Sequence, residues 1–208
     1  MLNEKSRLNI VFRVMLLTLA GCFLYSMSSG IRNSYGIMLN AIVSNSGISF
    51  TSVSFVLAVG QLVYGAVQPL FGILAAKKGN MYALVSGIVL IISGMLLTPL
   101  CKSILSLLIC LGIVLPACTG AVSYGVIMGA VTPKIPPTAF PIVSGLVNAS
   151  NGIGVTIMAP IVNSLITAGG LMYGMVKLSV SATLLLPVSI LIGRKPKNSR
   201  YDTIIVNK

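Results

Sequence analysis

The chain is nearly without acidic residues: Glu4 and Asp202 are the only two in 208 positions, and histidine and tryptophan are absent altogether. From residue 5 to residue 201, therefore, no carboxylate and no imidazole is available as a general base or acid or as a metal ligand. That leaves the common hydrolytic and acid–base chemistries without their parts, and the sequence reads as a non-enzyme. Cysteine is sparse as well. Cys22, Cys101, Cys110 and Cys118 show no Cys-x-x-Cys spacing, and thiols placed this way act as small apolar fillers. No glycine-rich phosphate loop closed by Lys and Ser or Thr occurs, which argues against nucleotide-driven work. No cofactor and no metal is implied.

Charge of either sign is scarce at 8% of residues, against about 25% in soluble domains, while 56% are hydrophobic and the mean hydropathy is +1.01. The net charge of +12 raises the question of nucleic acid, and the positions of the fourteen basic residues answer it. They punctuate long apolar runs instead of forming a patch, and no nucleic-acid partner is expected. The charge-free intervals are 14–31, 33–76, 79–101, 103–133, 135–176 and 178–193. One crossing of about 30 Å of hydrocarbon takes about 20 residues, so the two longest intervals must turn within themselves. The polar stretch from Ser44 to Ser52 and the Thr167-Ala-Gly-Gly170 segment supply those turns.

Six spans result, near 12–39, 52–76, 81–100, 104–132, 141–166 and 171–193, and the fold class expected is an all-α membrane protein. Residues 8–30 carry the basic flank of a signal peptide, but their apolar stretch outruns an h-region and no Ala-x-Ala site follows, so they read as the first retained span.

The chain also echoes itself. Gly79-Asn-Met-Tyr-Ala-Leu-Val85 and Gly170-Leu-Met-Tyr-Gly-Met-Val176 lie 91 residues apart, and the same offset carries Pro69 onto Pro160. Ser34-Tyr-Gly-Ile-Met38 is echoed by Ser123-Tyr-Gly-Val-Ile-Met128. The expected organisation is a three-helix repeat over 1–103, a second over 104–193, and a basic tail over 194–208. Three spans per copy invert the second copy in the membrane. Basic residues gather on the cytoplasmic side of membranes. With both termini inside, Lys5, Arg7, Arg13, Lys77, Lys78, Lys134, Arg194, Lys195, Lys197, Arg200 and Lys208 fall on that side, leaving Arg32, Lys102 and Lys177 toward the outside. A cell (inner) membrane location with cytoplasmic termini is expected.

The segment Gln68-Pro-Leu-Phe-Gly72-Ile-Leu-Ala-Ala76-Lys77-Lys78-Gly79-Asn80 resembles the loop joining helices 2 and 3 of major facilitator superfamily transporters. Gly72, Lys77 and Gly79 match that motif, while Ala76 stands where the family has Asp and Asn80 where it has a basic residue. The six spans, the repeat and the basic segment after the last span extend the resemblance over the full 208 residues, the N-terminal half of a twelve-helix carrier. Gly30-Ile-Arg-Asn-Ser-Tyr-Gly36 and Gly47-Ile-Ser-Phe-Thr-Ser-Val-Ser54 look most like the oxalate/formate antiporter and monocarboxylate transporter branch. The resemblance implies that helices 1, 2, 4 and 5 surround a cavity. It also implies transport by alternating access, and the need for a second six-helix half or a homodimer.

Polar groups inside a membrane bundle are costly unless they meet a partner or a water-filled cavity. Gln61, Tyr64 and Gln68 share one helical face, and Asn148 and Asn151 share another. They either line the cavity or join helices by hydrogen bonds. Arg32, with Tyr35 one turn on, offers a guanidinium suited to a carboxylate. Counted from Arg13, it lies 19 residues along the chain, about 28 Å of helix, which puts it near the outer interface, where snorkelling alone would explain it. Tyr124 echoes Tyr35 in the repeat. With no intramembrane acid and only basic fixed charges, a small organic anion such as a mono- or dicarboxylate is the expected substrate, and the lipid bilayer the surrounding partner. The competing reading is a truncated or non-transporting membrane protein that pairs with another half or with a full-length carrier.

Overall fold

A computed structural model describes residues 4–194, with side chains from Leu8 onward. The expected basic tail lies, beyond Arg194, outside the described residues, as do the side chains of Lys5 and Arg7. The described residues form helices and no strand.

Helix α1, Glu4–Asn33, passes through Ser34 into α2, Tyr35–Ser46. Ser34 keeps right-handed helical dihedrals, and its hydroxyl donates back to the Gly30 carbonyl at 2.7 Å while Asn33 Nδ2 donates to the Ser29 carbonyl at 2.8 Å. Such back-bonding by short polar side chains bends a helix without ending it. The first rod accordingly runs well past residue 39 and stops only at Gly47, where φ is +73°.

Ser49 caps α3, Phe50–Lys78, by accepting from the Ser52 N–H. A single residue, Gly79, separates α3 from α4, Asn80–Leu97. A short 3-10 turn, Thr98–Leu100, ends that rod.

The fourth rod departs most from a plain helix. After α5, Ile104–Leu107, come π turns over Leu108–Val114, then α6, Leu115–Ala121, a break at Val122 and Ser123, and α7, Tyr124–Val131. Pro116 has no N–H for the Gly112 carbonyl, and the wider π turns before it take up the mismatch, with the Leu115 N–H reaching back to the Cys110 carbonyl.

The last stretch, α8, Phe140–Thr183, followed by α9, Leu185–Gly193, is two helices joined at Gly170, whose φ of +74° and ψ of −174° are non-helical. The chain folds back there: a Cβ at Gly174 would sit 3.1 Å from Ile166 Cγ1, although eight residues of straight helix span about 12 Å. Among the described residues, five continuous stretches are therefore long and apolar enough to cross a membrane, the last, Pro137–Gly193, containing this reversal.

Small residues set the crossings. A Cβ at Gly154 would collide with the Ser26 carbonyl oxygen, so α1 and the first limb of α8 touch backbone to backbone, and α1 with α8 as a whole makes the most extensive contact among the described helices. Segment α6 sits centrally, against both α3 and α4. Leu111, Leu115, Ile88, Ile91 and Leu24 are fully enclosed in the core between these rods.

Candidate functional site

Beside Ser34, where α1 passes into α2, the first rod, α3 and the π segment border a half-open cleft. It holds about 290 Å³ and is lined by Arg32, Tyr35, Gly60, Gln61, Leu111 and Pro116, among others. At about 30 Å³ per molecule, that is room for several waters or a solute of a few carbons.

Arg32 dominates the space electrostatically. Its Nη1 donates to Gln61 Oε1 at 2.8 Å, and its guanidinium carbon lies 4.1 Å from the centroid of the Tyr64 ring. Gln61 and Tyr64, three residues apart on α3, thus hold one face of the guanidinium by a charge-assisted hydrogen bond and a cation–π contact. The remaining edge is not engaged: Arg32 Nε is buried and meets no partner within the chain, and the same holds for the Tyr35 hydroxyl. Two buried donors without a partner thus belong to residues that line the cleft.

The first rod continues fourteen residues beyond Arg32 to Ser46, about 21 Å of helix, while its long apolar span, Leu8–Asn33, ends beside Arg32. Arg32 therefore stands within a continuous rod, at the end of that span and against α3.

The other candidates are distributed more widely. Tyr124 stands near Tyr25, ring centroids 6.0 Å apart and planes inclined at 55°. Asn148 is exposed and Asn151 half-buried on the first limb of α8, and neither lines the Arg32 cavity. Asn151 Oδ1 is nonetheless buried without a partner, as is Ser123 Oγ at the break before α7. The motif residues Gly72, Lys77 and Gly79 lie at the far end of α3. Gly79, with φ of +99°, makes the one-residue turn. Asn80 donates to the Gly129 carbonyl at 3.3 Å and ties that turn to α7. Nothing lies within 4 Å of a Cβ built at Gly72. The four cysteines are free thiols, three of them buried.

Sequence reasoning missed Tyr25, Gly60, Leu111, Pro116 and Ser123. Tyr25 was findable, since seven residues before Arg32 is the same helical face. The π turns, which bring Leu111 and Pro116 to the cavity, had only Pro116 and Gly112 as their signal.

This geometry defines a class: an all-helical integral membrane protein with a polar, cationic cavity between its spans. The model for the Major Facilitator Superfamily matches residues 18–203. The chain belongs to that superfamily, which is made up of membrane transporters and not enzymes. No curated protein matches the chain closely enough to narrow the assignment to a branch.

Proposed function

We propose that the chain carries a small organic anion, a mono- or dicarboxylate, through the cavity at Arg32. The carrying observation is the pair of unpartnered groups, Arg32 Nε and the Tyr35 hydroxyl, beside a guanidinium already oriented by Gln61 and Tyr64. A carboxylate accepts from both donors and neutralises a charge that no acid between residues 5 and 201 can reach from within the bundle. Tyr124, Asn148 and Asn151 are assigned to an extension of the solute path outside this cleft, where Asn151 Oδ1 and Ser123 Oγ also lack partners. Alternating access is assigned to two inverted three-helix repeats, 1–103 and 104–193, with the turn at Gly72, Lys77 and Gly79 on the cytoplasmic side of the cell membrane.

Gln61 and Asn148 are exposed, as are large apolar residues near them on α3 and α8 such as Leu62 and Ile153. Amides at this depth need water or a protein partner. A second six-helix unit, as a further half or a second copy, covers this face in the working carrier.

The test is uptake of labelled formate, oxalate and succinate into proteoliposomes holding the chain with and without a second six-helix unit. Arg32→Gln is expected to abolish flux that the wild type supports, and Arg32→Lys to retain a fraction. Flux unchanged in Arg32→Gln would remove the anion site from this cavity. Absence of flux for all three solutes in both preparations would reject the substrate class.

A further inference from the structure

At the end of the bundle that carries Lys77, Lys78, Lys134 and Arg194, three concave spaces join. The innermost, about 300 Å³, lies between Gly79, Asn80, Pro133, Lys134 and Arg194. It shares Gly79, Gly193 and Arg194 with a space of about 360 Å³ that also touches Lys78 and Tyr82. That second space shares Met81, Tyr82 and Arg194 with a groove of about 690 Å³ walled by Val85, Val89, Leu90 and Ile190. The three spaces thus follow one another, sharing lining residues, from the basic pocket along the seam between α4 and α9. Its floor is closed, because a Cβ at Gly193 would lie 2.4 Å from Met81 Cα and the two helices meet there at the backbone.

The two ends of the seam differ in chemistry. Arg194 is exposed and borders all three spaces, Lys78 is exposed and borders the second, and Lys134, buried with its ammonium donating to the Ile192 carbonyl, lines the first. Two acidic residues in the whole chain stand against fourteen basic ones, and Arg13, Lys77, Lys78, Lys134 and Arg194 cannot all be neutralised from within it. The groove beyond is walled mainly by apolar side chains, Val85, Val89, Leu90 and Ile190, on helices apolar enough to span a membrane. A basic head site continuous with an apolar channel parallel to the spans has the polarity of a phospholipid, and basic pockets between spans favour anionic headgroups.

We propose that the α4–α9 seam binds an anionic phospholipid, its phosphate against Lys78 and Arg194 and an acyl chain along Val85, Val89, Leu90 and Ile190. Free phosphate fits the pocket but gives the groove no role. The site is remote from the Arg32 cavity and stands whether or not that cavity takes an anion.

The full chain in detergent micelles is titrated with phosphatidylglycerol and, separately, with phosphatidylcholine of the same acyl length, and retained lipid is read by native mass spectrometry. Phosphatidylglycerol is expected to be retained in preference. Lys78→Gln and Arg194→Gln should each lower that preference about fivefold, whereas Lys102→Gln, away from this seam, leaves it intact. Val89→Trp, which fills the groove, should lower retention of both lipids. Thermal unfolding in the same micelles checks that these exposed positions spare the fold. Equal retention of the two lipids by the wild type overturns the proposal, and so does an unchanged preference in the Lys78→Gln/Arg194→Gln pair. Displacement of the lipid by inorganic phosphate with Val89→Trp inert would mark a free phosphate site instead. Retention seen only after deletion of residues 195–208 would mean that the chain's own tail fills the seam, and would equally overturn it.

Discussion

Arg32 brings a guanidinium to the cavity, and what varies is how firmly it is aimed. Gln61 and Tyr64 do the aiming from one face of α3, 2.8 Å and 4.1 Å away. A cation–π contact between half-buried groups such as these contributes about 1 kcal/mol. Tyr64→Leu is therefore expected to weaken anion binding roughly fivefold, and Tyr64→Phe, which keeps a ring face, to bind close to the wild type; titration of a labelled carboxylate in micelles distinguishes them. Tyr35→Phe removes one of the two unpartnered donors without changing shape. It should raise the half-saturating solute concentration about tenfold, the worth of a hydrogen bond to a charged group, with the fold unaffected. A response of Tyr35→Phe confined to thermal stability would assign that hydroxyl to packing alone.

Elements are held at points where side chains vanish. The α1–α8 crossing has no room for a methyl group at Gly154, where the Ser26 carbonyl lies 2.0 Å from an added Cβ, while Gly152, two residues earlier, has open space around it. Gly154→Ala is expected to lower stability by about 1–3 kcal/mol through forced separation of the helices, and Gly152→Ala to cost nothing or stabilise the helix slightly. Thermal unfolding of the two variants in one detergent decides the matter. Gly170 illustrates a different constraint, because its φ of +74° with ψ of −174° is a conformation that essentially only glycine adopts. Gly170→Ala should cost about 1–3 kcal/mol at the reversal between the two limbs of α8. Equal melting of Gly170→Ala and wild type would place the turn elsewhere in the chain. Segment α6 and the π turns before it are the fourth rod's adjustment to Pro116, and the cost of that irregularity is balanced by contact with both α3 and α4.

Over the whole molecule, the cavity face and the lipid face differ in what surrounds them, and water-soluble maleimide reads the difference. Cysteines introduced at Gln61 and Asn148 are expected to label, whereas one at Val180, an exposed apolar position, is not. Lys78→Cys and Lys102→Cys should label from opposite sides of the membrane, with Lys78 on the cytoplasmic side. Labelling of Lys78→Cys from outside would invert the proposed orientation.

The membrane class and the superfamily were legible in the residues alone, and for a physical reason: hydrocarbon offers the backbone no partners, so each span must satisfy its own hydrogen bonds. That requirement is local, and it shows as apolar runs broken by polar turns. The turns themselves, at Gly47, Gly79 and Gly170, were legible for the same reason, since each is a glycine forced to positive φ. The partners of Arg32 were not, because which side chains meet a guanidinium depends on how far a rod bends at Ser34 and how it rotates against another rod 29 residues away. Nor could any apolar pattern reveal the basic pocket and its groove, whose walls come from α4, α9 and the turn between α3 and α4. The sequence by itself determined which solvent this protein lives in and the superfamily it belongs to. Only the tertiary structure decided what Arg32 touches, since such contacts are made between helices, through small residues that let backbones approach, and leave no periodicity along the chain.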